Sequence, residues 1–325
     1  MMAVAVDTMK YSATAPTDNL DKRMTDNPTL SHAARPGSTT PTSISLLSSG
    51  SEAELDTFLA EHAYSSMYLR SELRRSGNRP DFAVARRDGR IIAAAAQAAT
   101  GMILLQVPVA AGKVARAVLK TSGRRLAGFF GPLAQVQAAR HEVGLDAVPL
   151  LKDGREDLFA LKLADMVMPA ALAEKTITCR VAVDADFEQL VAWRAAFRQA
   201  VLGDLPGEHL LKTSRAEIAA LLPAGSLFML ESQEPVSCCS FNARLPNMVQ
   251  IGNVWTPPEL RGLGYSRAIV AGALAIASDS GVVAATLSTD RGNAAAQASY
   301  RGLGFKEVGD YALATISPDV QLPDF

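Results

Sequence analysis

The feature that constrains this chain most is a repeat inside it. At an offset of 146 residues, Asp81–Val107 and Leu227–Val254 read in the same order. Phe82 falls on Phe228, Val84 on Leu230, Asp88 on Glu234, Met102 on Met248, Ile103 on Val249 and Leu105 on Ile251. Each copy reads as strand, tight turn, strand, loop, strand, with turns at Arg87-Asp88-Gly89-Arg90 and Ser232-Gln233-Glu234-Pro235. That pattern predicts an antiparallel meander in each half. The stretch from 44 to 325 holds 282 residues, twice 141, so two copies of one unit fill it.

Residues 1–43 stand apart. Ser, Thr and Pro supply 16 of these 43 positions, and apolar residues are sparse and aperiodic. Such a segment buries too little surface to offset its ordering entropy, so it is predicted to be a disordered tail. Asp7, Asp18, Asp21 and Asp26 argue against an organelle-targeting peptide. No basic stretch leads into an apolar one, as a secretory signal requires. The longest apolar runs, Ile91–Ala99 and Ile103–Ala111, are too short to cross a bilayer. A cytoplasmic protein is expected. The formal charge of −1 excludes a chain that lives by broad electrostatic attachment to nucleic acid or anionic membrane. Cys179, Cys238 and Cys239 are an odd set without C-x-x-C spacing, and the four histidines are scattered. Neither a disulfide framework nor a metal site is expected.

The C-terminal half carries the more detailed pattern. Ile177–Val183 reads as a strand, and Asp184–Ala200 as a helix whose face is Phe187, Leu190, Val191, Ala195 and Phe197. Ser214–Leu222 reads as a second helix, with Ser214 as N-cap and Glu217 completing a capping box. The meander follows. A glycine turn at Arg261–Gly264 leads into a helix over Tyr265–Ser280, then a strand at Val282–Leu287. A short helix over Asn293–Arg301 stops at Gly302 and Gly304, and Phe305–Ile316 is the last strand. The order βααβββαβαβ predicts an α/β fold with a mixed sheet.

The sharpest chemical signal is Val254–Ala268, V-W-T-P-P-E-L-R-G-L-G-Y-S-R-A. A strand end, a glycine turn and a helix start in succession aim several backbone N–H groups into one space, with the helix dipole behind them. A phosphate or pyrophosphate suits that space, although a plain tight turn reads the same on G-x-G alone. No Gly-Lys-Ser/Thr is present, which excludes the Walker loop. Arg267 stands where a dinucleotide fingerprint needs its third glycine, and Leu287-Ser288-Thr289 where it needs an acidic residue.

Arg261-x-x-Gly264-x-Ser266 resembles the R/Q-x-x-G-x-G/A pyrophosphate loop of the GNAT superfamily of acyl-CoA N-acyltransferases. Thirty-two residues on, Asn293–Phe305 resembles that family's N-x-x-A-x-x-x-Y-x-x-x-G-F. The likeness covers roughly 177–316, and Ser266 departs from the usual Gly or Ala. It implies a tandem of GNAT-like folds: a degenerate half at 44–172 and an N-acetyltransferase domain at 173–325. It also implies acetyl-CoA as co-substrate, with pantetheine paired along the strand edge Val254, Trp255 and Thr256. Arg261, Gly262, Leu263, Gly264, Tyr265, Ser266 and Arg267 would hold the pyrophosphate. Asn293 would bind pantetheine, the Val254 N–H would polarise the thioester carbonyl, and Tyr300 would protonate the departing thiolate. On the residues alone, Asn293 is equally a helix N-cap and Tyr300 an aromatic packing the sheet.

The first half lacks this loop: P-V-A-A-G-K-V-A-R follows Val107, and Gly128, Gly131 and Gly144 read as loop punctuation. Glu231, Asp204 and Glu208 are the candidate general bases, each also read as a solvated charge. Cys238-Cys239 reads as core. The acceptor is expected to be a small-molecule or peptide amine, attacked directly in a ternary complex. The rivals are an acyl-CoA sensor without turnover and an enzyme for longer acyl chains.

Overall fold

Strand-forming runs and helical faces alternate along the chain. The computed structural model, which describes residues 41–77, 79–317 and 319–323, assembles them into one twelve-stranded sheet with helices on both faces. The first half runs β1 (Ser43–Leu46), α1 (Glu52–Glu61), α2 (Met67–Leu73), β2 (Phe82–Arg87), β3 (Arg90–Gln97), β4 (Met102–Gln106), α3 (Ala111–Ser122), β5 (Gly128–Pro132), α4 (Leu133–Glu142) and β6 (Leu150–Lys162). A connector carries the short α5 (Ala170–Ala173). The second half repeats the order: β7 (Thr178–Val181), α6 (Phe187–Phe197), α7 (Glu208–Leu221), β8 (Leu227–Ser232), β9 (Glu234–Arg244), β10 (Met248–Trp255), α8 (Tyr265–Ser278), β11 (Ala284–Asp290), α9 (Ala294–Gly302) and β12 (Lys306–Ile316). The two meanders anticipated from the repeat are β2-β3-β4 and β8-β9-β10, and β4 and β10 open at Met102 and Met248, 146 residues apart.

The strand order is β1-β2-β3-β4-β5-β12-β6-β11-β10-β9-β8-β7. The two halves therefore exchange their last strands. β12 pairs with β5 of the first half, and β6 pairs with β11 of the second. β6 and β12 then pair with each other at the centre, Tyr311 opposite Glu156 and Leu313 opposite Gly154. Each half closes only with the other's strand in place.

Alternation along the strands fills two layers. Leu158 of β6 packs with α1 and α2, while its neighbours Phe159 and Leu161 pack with α8 and α9. Met229 and Cys238 face α6 and α7, while Phe228, Leu230 and Cys239 face α8. Helices α1, α2, α6 and α7 thus share one face of the sheet. Helices α3, α4, α8 and α9 cover the other. The expected inward face of α8, Ile269, Val270, Ala273, Leu274 and Ala277, is buried throughout.

Three expectations change. Helix α7 begins at Glu208, not at Ser214, because the core stripe is Leu210, Ser214 and Ile218 at a spacing of four. Ser214 is fully buried in mid-helix, and Glu217 pairs with Arg194 and Arg198 instead of closing a capping box. Gly128 and Gly131 lie in β5 rather than in loops. A Cβ at Gly128 would run into the Ala314 carbonyl of the exchanged strand, and one at Gly131 would sit 2.9 Å from the Leu105 carbonyl. Residues 1–40 of the expected tail fall outside the described residues, whereas Ser43 opens β1 and the Thr42 hydroxyl lies 3.2 Å from Arg87 Nη2.

Candidate active site

The site begins where β10 leaves its neighbour. β10 and β11 pair in parallel only from Met248 opposite Ala284 to Gln250 opposite Thr286. Beyond that point β10 stays with β9 through two register shifts, and Asn253 takes the left-handed conformation at φ +53°. An extra residue bends a strand in this way and turns it off its partner. The bend is held by side chains. Asn253 Nδ2 donates to Ser240 Oγ at 2.7 Å and to Asn242 Oδ1 at 3.0 Å, and Arg194 of α6 donates to Asn253 Oδ1. The result is a wedge between Ile251–Trp255 and Leu287–Asp290, open at its carboxyl end, with Val254 half-buried at its rim.

The glycine turn closes the mouth of the wedge. Arg261 Nε donates to the Thr256 carbonyl at 3.2 Å, and its guanidinium stacks 5.1 Å from the Trp255 ring. Gly262 and Gly264 adopt φ +81° and +83°, which is why both are glycine. An added Cβ would meet nothing within 4 Å at Gly262. Six consecutive amides, Gly262, Leu263, Gly264, Tyr265, Ser266 and Arg267, find no acceptor among the described residues. They surround the start of α8, where the helix dipole adds positive potential. The turn is exposed, and Tyr265 folds back onto the core.

Helix α9 follows β11 and packs against α8. Asn293 is its exposed N-cap and accepts from the Ala296 amide at 3.1 Å. One face further along, Tyr300 is buried between Phe159 and Phe305, with ring centroids 6.4 and 6.1 Å away. Burial pushes its phenol well above the usual value, and negative charge from Cys239 and Glu156 adds to the shift. Tyr300 therefore keeps its proton throughout the physiological range and is a donor. On the α6 side, a small apolar cleft is lined by Leu190, Phe197, Cys238 and Trp255, with Arg194 and Asn253 as its polar edge.

Two of the three sequence-derived bases are already engaged. Glu231 and Asp186 share Arg180, and Asp204 is bonded to Arg198. Glu208 opens α7 away from this wedge's core, in its exposed first turn. Cys238 and Cys239 are buried core groups with thiols pushed up by desolvation, which makes them poor nucleophiles. Glu156 of β6, a buried carboxylate that accepts from Ser288 on β11, has no signal in the sequence. It belongs to the first half by sequence and reaches the second only through strand exchange, which no local pattern signals.

The equivalent region of the first half is filled by its own side chains. Four residues, 107–110, join β4 to α3, against nine, 256–264, between β10 and α8. The Glu142 carboxylate accepts from the Gly112 amide at 2.9 Å, in the first turn of α3. Gln135 Oε1 accepts from the Val107 amide at 2.5 Å, just past the end of β4. An internal carboxylate thus takes the place at the helix start that an anion occupies elsewhere. Among the described residues no cluster of metal-ligating side chains occurs, and no helix is long and apolar enough to cross a membrane.

Residues 188–305 match the Acetyltransferase (GNAT) family. No curated protein matches the chain. Among solved structures, a GCN5-related N-acetyltransferase from Sphaerobacter thermophilus shares the fold at TM-score 0.54 and 14% identity, covering 87% of this chain and 99% of that one. A Drosophila protein aligns at TM-score 0.56 and 12% identity, over 85% and 99% of the two chains. A tandem GNAT protein from the clavulanic acid biosynthesis pathway aligns at TM-score 0.50 and 12% identity, over 84% and 97%. These likenesses establish the two-halved fold.

Proposed function

We propose that this chain, of which residues 188–305 match the Acetyltransferase (GNAT) family, moves an acetyl group from acetyl-CoA to a primary amine, in a ternary complex. The observation that carries this reading is the run of six unpartnered amides at the mouth of the β10/β11 wedge. When bound, acetyl-CoA supplies an activated thioester. Every further task falls to the chain.

The amides of Gly262, Leu263, Gly264, Tyr265, Ser266 and Arg267 bind the pyrophosphate, reinforced by the α8 dipole. Arg261 fixes the end of β10 to that turn through Thr256 and Trp255. The freed edge of Val254, Trp255 and Thr256 pairs with pantetheine as an added strand would. Asn293 keeps its Oδ1 on the helix and offers its amide nitrogen to the same arm. The Val254 N–H stabilises negative charge on the carbonyl oxygen. Tyr300 gives its proton to the leaving thiolate. The small cleft beside Trp255 and Phe197 suits a short acyl group rather than a long one. In this reading 173–325 is the catalytic half, and 44–172 is a degenerate GNAT-like half with its cofactor place filled by Glu142 and Gln135.

Calorimetry with CoA tests it. One CoA binds per chain, and Gly264→Asp abolishes binding, because it sets a carboxylate against the phosphates at a φ of +83°. Two equal sites per chain, or an unaffected Gly264→Asp, overturn the assignment.

A further inference from the structure

Strand exchange sets a carboxylate of the first half against β11, the strand that forms one side of the second half's wedge. In the β6/β11 pair Glu156 lies opposite Asp290. Past the last β10/β11 pair, Gln250 opposite Thr286, the rest of β11 with Ser288 and Asp290 forms one side of the wedge. Glu156 shares the α2/α6 face of the sheet with Leu158, the same face on which Asn253 meets Arg194 of α6. Its carboxylate accepts from the Ser288 hydroxyl on β11 and is only 7% exposed. Resting on the acyl-CoA reading above, we propose that Glu156 is the base of the acceptor site, receiving the proton of a small cationic primary amine bound between the two halves.

The surroundings suit that task. Tyr68 of α2, half-buried over the sheet, hydrogen-bonds Asn242 beside the Asn253 bulge. In this proposal the amine lies between α2 of one half and α6 of the other, over the central strands. Burial raises the Glu156 carboxyl above the ordinary range; the Ser288 bond and Lys152 of β6 pull it back, and Asp290 of β11 pushes it up. The other groups near it are Tyr68, Tyr311 of β12 and Tyr300 of α9, all protonated phenols with raised values, and Arg194 beyond Tyr68. Among these groups the phenols are proton donors, and Glu156 is the carboxylate able to accept a proton, as a base for an ammonium must.

The protons balance. An ammonium R–NH₃⁺ gives one proton to Glu156, and its freed lone pair forms the C–N bond as the C–S bond breaks. The thiolate takes the Tyr300 proton. The extra N–H proton of the new amide restores Tyr300, and Glu156 releases its proton to water. The net yield is amide, CoA thiol and one proton.

Glu156→Gln tests this, since the amide keeps the Ser288 bond and the packing. Thiol release is followed with acetyl-CoA alone, water standing in for the amine, and with benzylamine, propylamine and 1,4-diaminobutane, alongside CoA calorimetry. The expected variant binds CoA like the parent, loses about 100-fold or more in kcat/KM, and no longer shows the acidic limb of the pH–rate profile. Hydrolysis and aminolysis at parental rates, with that limb intact, overturn the role of Glu156. A parent protein that fails to bind CoA overturns the acyl-CoA reading itself, and this proposal with it.

Discussion

Tyr300→Phe separates chemistry from packing. The ring sits between Phe159 and Phe305, and phenylalanine keeps those contacts. Only the hydroxyl is lost, so the stability change is about 1 kcal/mol at most, and CoA affinity stays within a few-fold. A positioned acid contributes typically 10²- to 10⁴-fold, so kcat falls by about that factor with KM for acetyl-CoA little changed. Burial supplies a second check. The folded phenol is raised above its ordinary value of 10.0, so the neutral form is favoured by folding. That stability is fully present below the unfolded value and is lost as pH rises through it toward the folded one. No loss of activity through Tyr300 ionisation is therefore expected up to pH ~9. Steady-state thiol release across pH, parent against variant, reads both. A variant that turns over like the parent refutes the general-acid role.

Two further outcomes follow from the packing. Gly128→Ala forces an L side chain into φ +150° and against the Ala314 carbonyl of the exchanged strand; it costs about 3 kcal/mol and lowers the thermal midpoint by roughly 5 °C, and calorimetry showing an unchanged midpoint would contradict the exchange. Arg180→Ala leaves Asp186 and Glu231 without their shared cation and costs about 2 kcal/mol by denaturant titration. Arg180 holds the Asp186 carboxyl below its ordinary 3.8; the parent's advantage over this variant is present above that value and disappears as pH falls below it.

The second half was legible because its signals are local. Glycine turns, a 3.6-residue face on α8 and the Asn293–Tyr300 spacing each act within one or two elements. The misplaced start of α7 shows the limit: Ser214 and Glu217 satisfy a capping pattern, but tertiary burial of Leu210 and Ile218 extends the helix a full turn and a half earlier. Gly128 and Gly131 misled for a related reason. They are small because backbone from β12 and β4 passes beside them, and that backbone comes from elsewhere in the chain. Glu156 is the extreme case, since its neighbours Ser288 and Asp290 lie more than 130 residues away in sequence.

On the reading proposed above, the exchange accounts for a first half that is retained without a cofactor place of its own. Glu142 and Gln135 satisfy the amides of Gly112 and Val107, so the first half is stable with nothing bound. The β11 edge would stand open if β6 were removed, with the pairs from Ala284 opposite Lys162 to Asp290 opposite Glu156 unmade. An open, largely apolar edge in mid-sheet is a site for aggregation. Tyr311 and Leu313, on the second half's own last strand, are fixed against β6 and β5 as well. The second half thus depends on 44–172 for the strand that closes its sheet. A carboxylate on that strand is set against Ser288 of β11 by the same pairing that stabilises the fold.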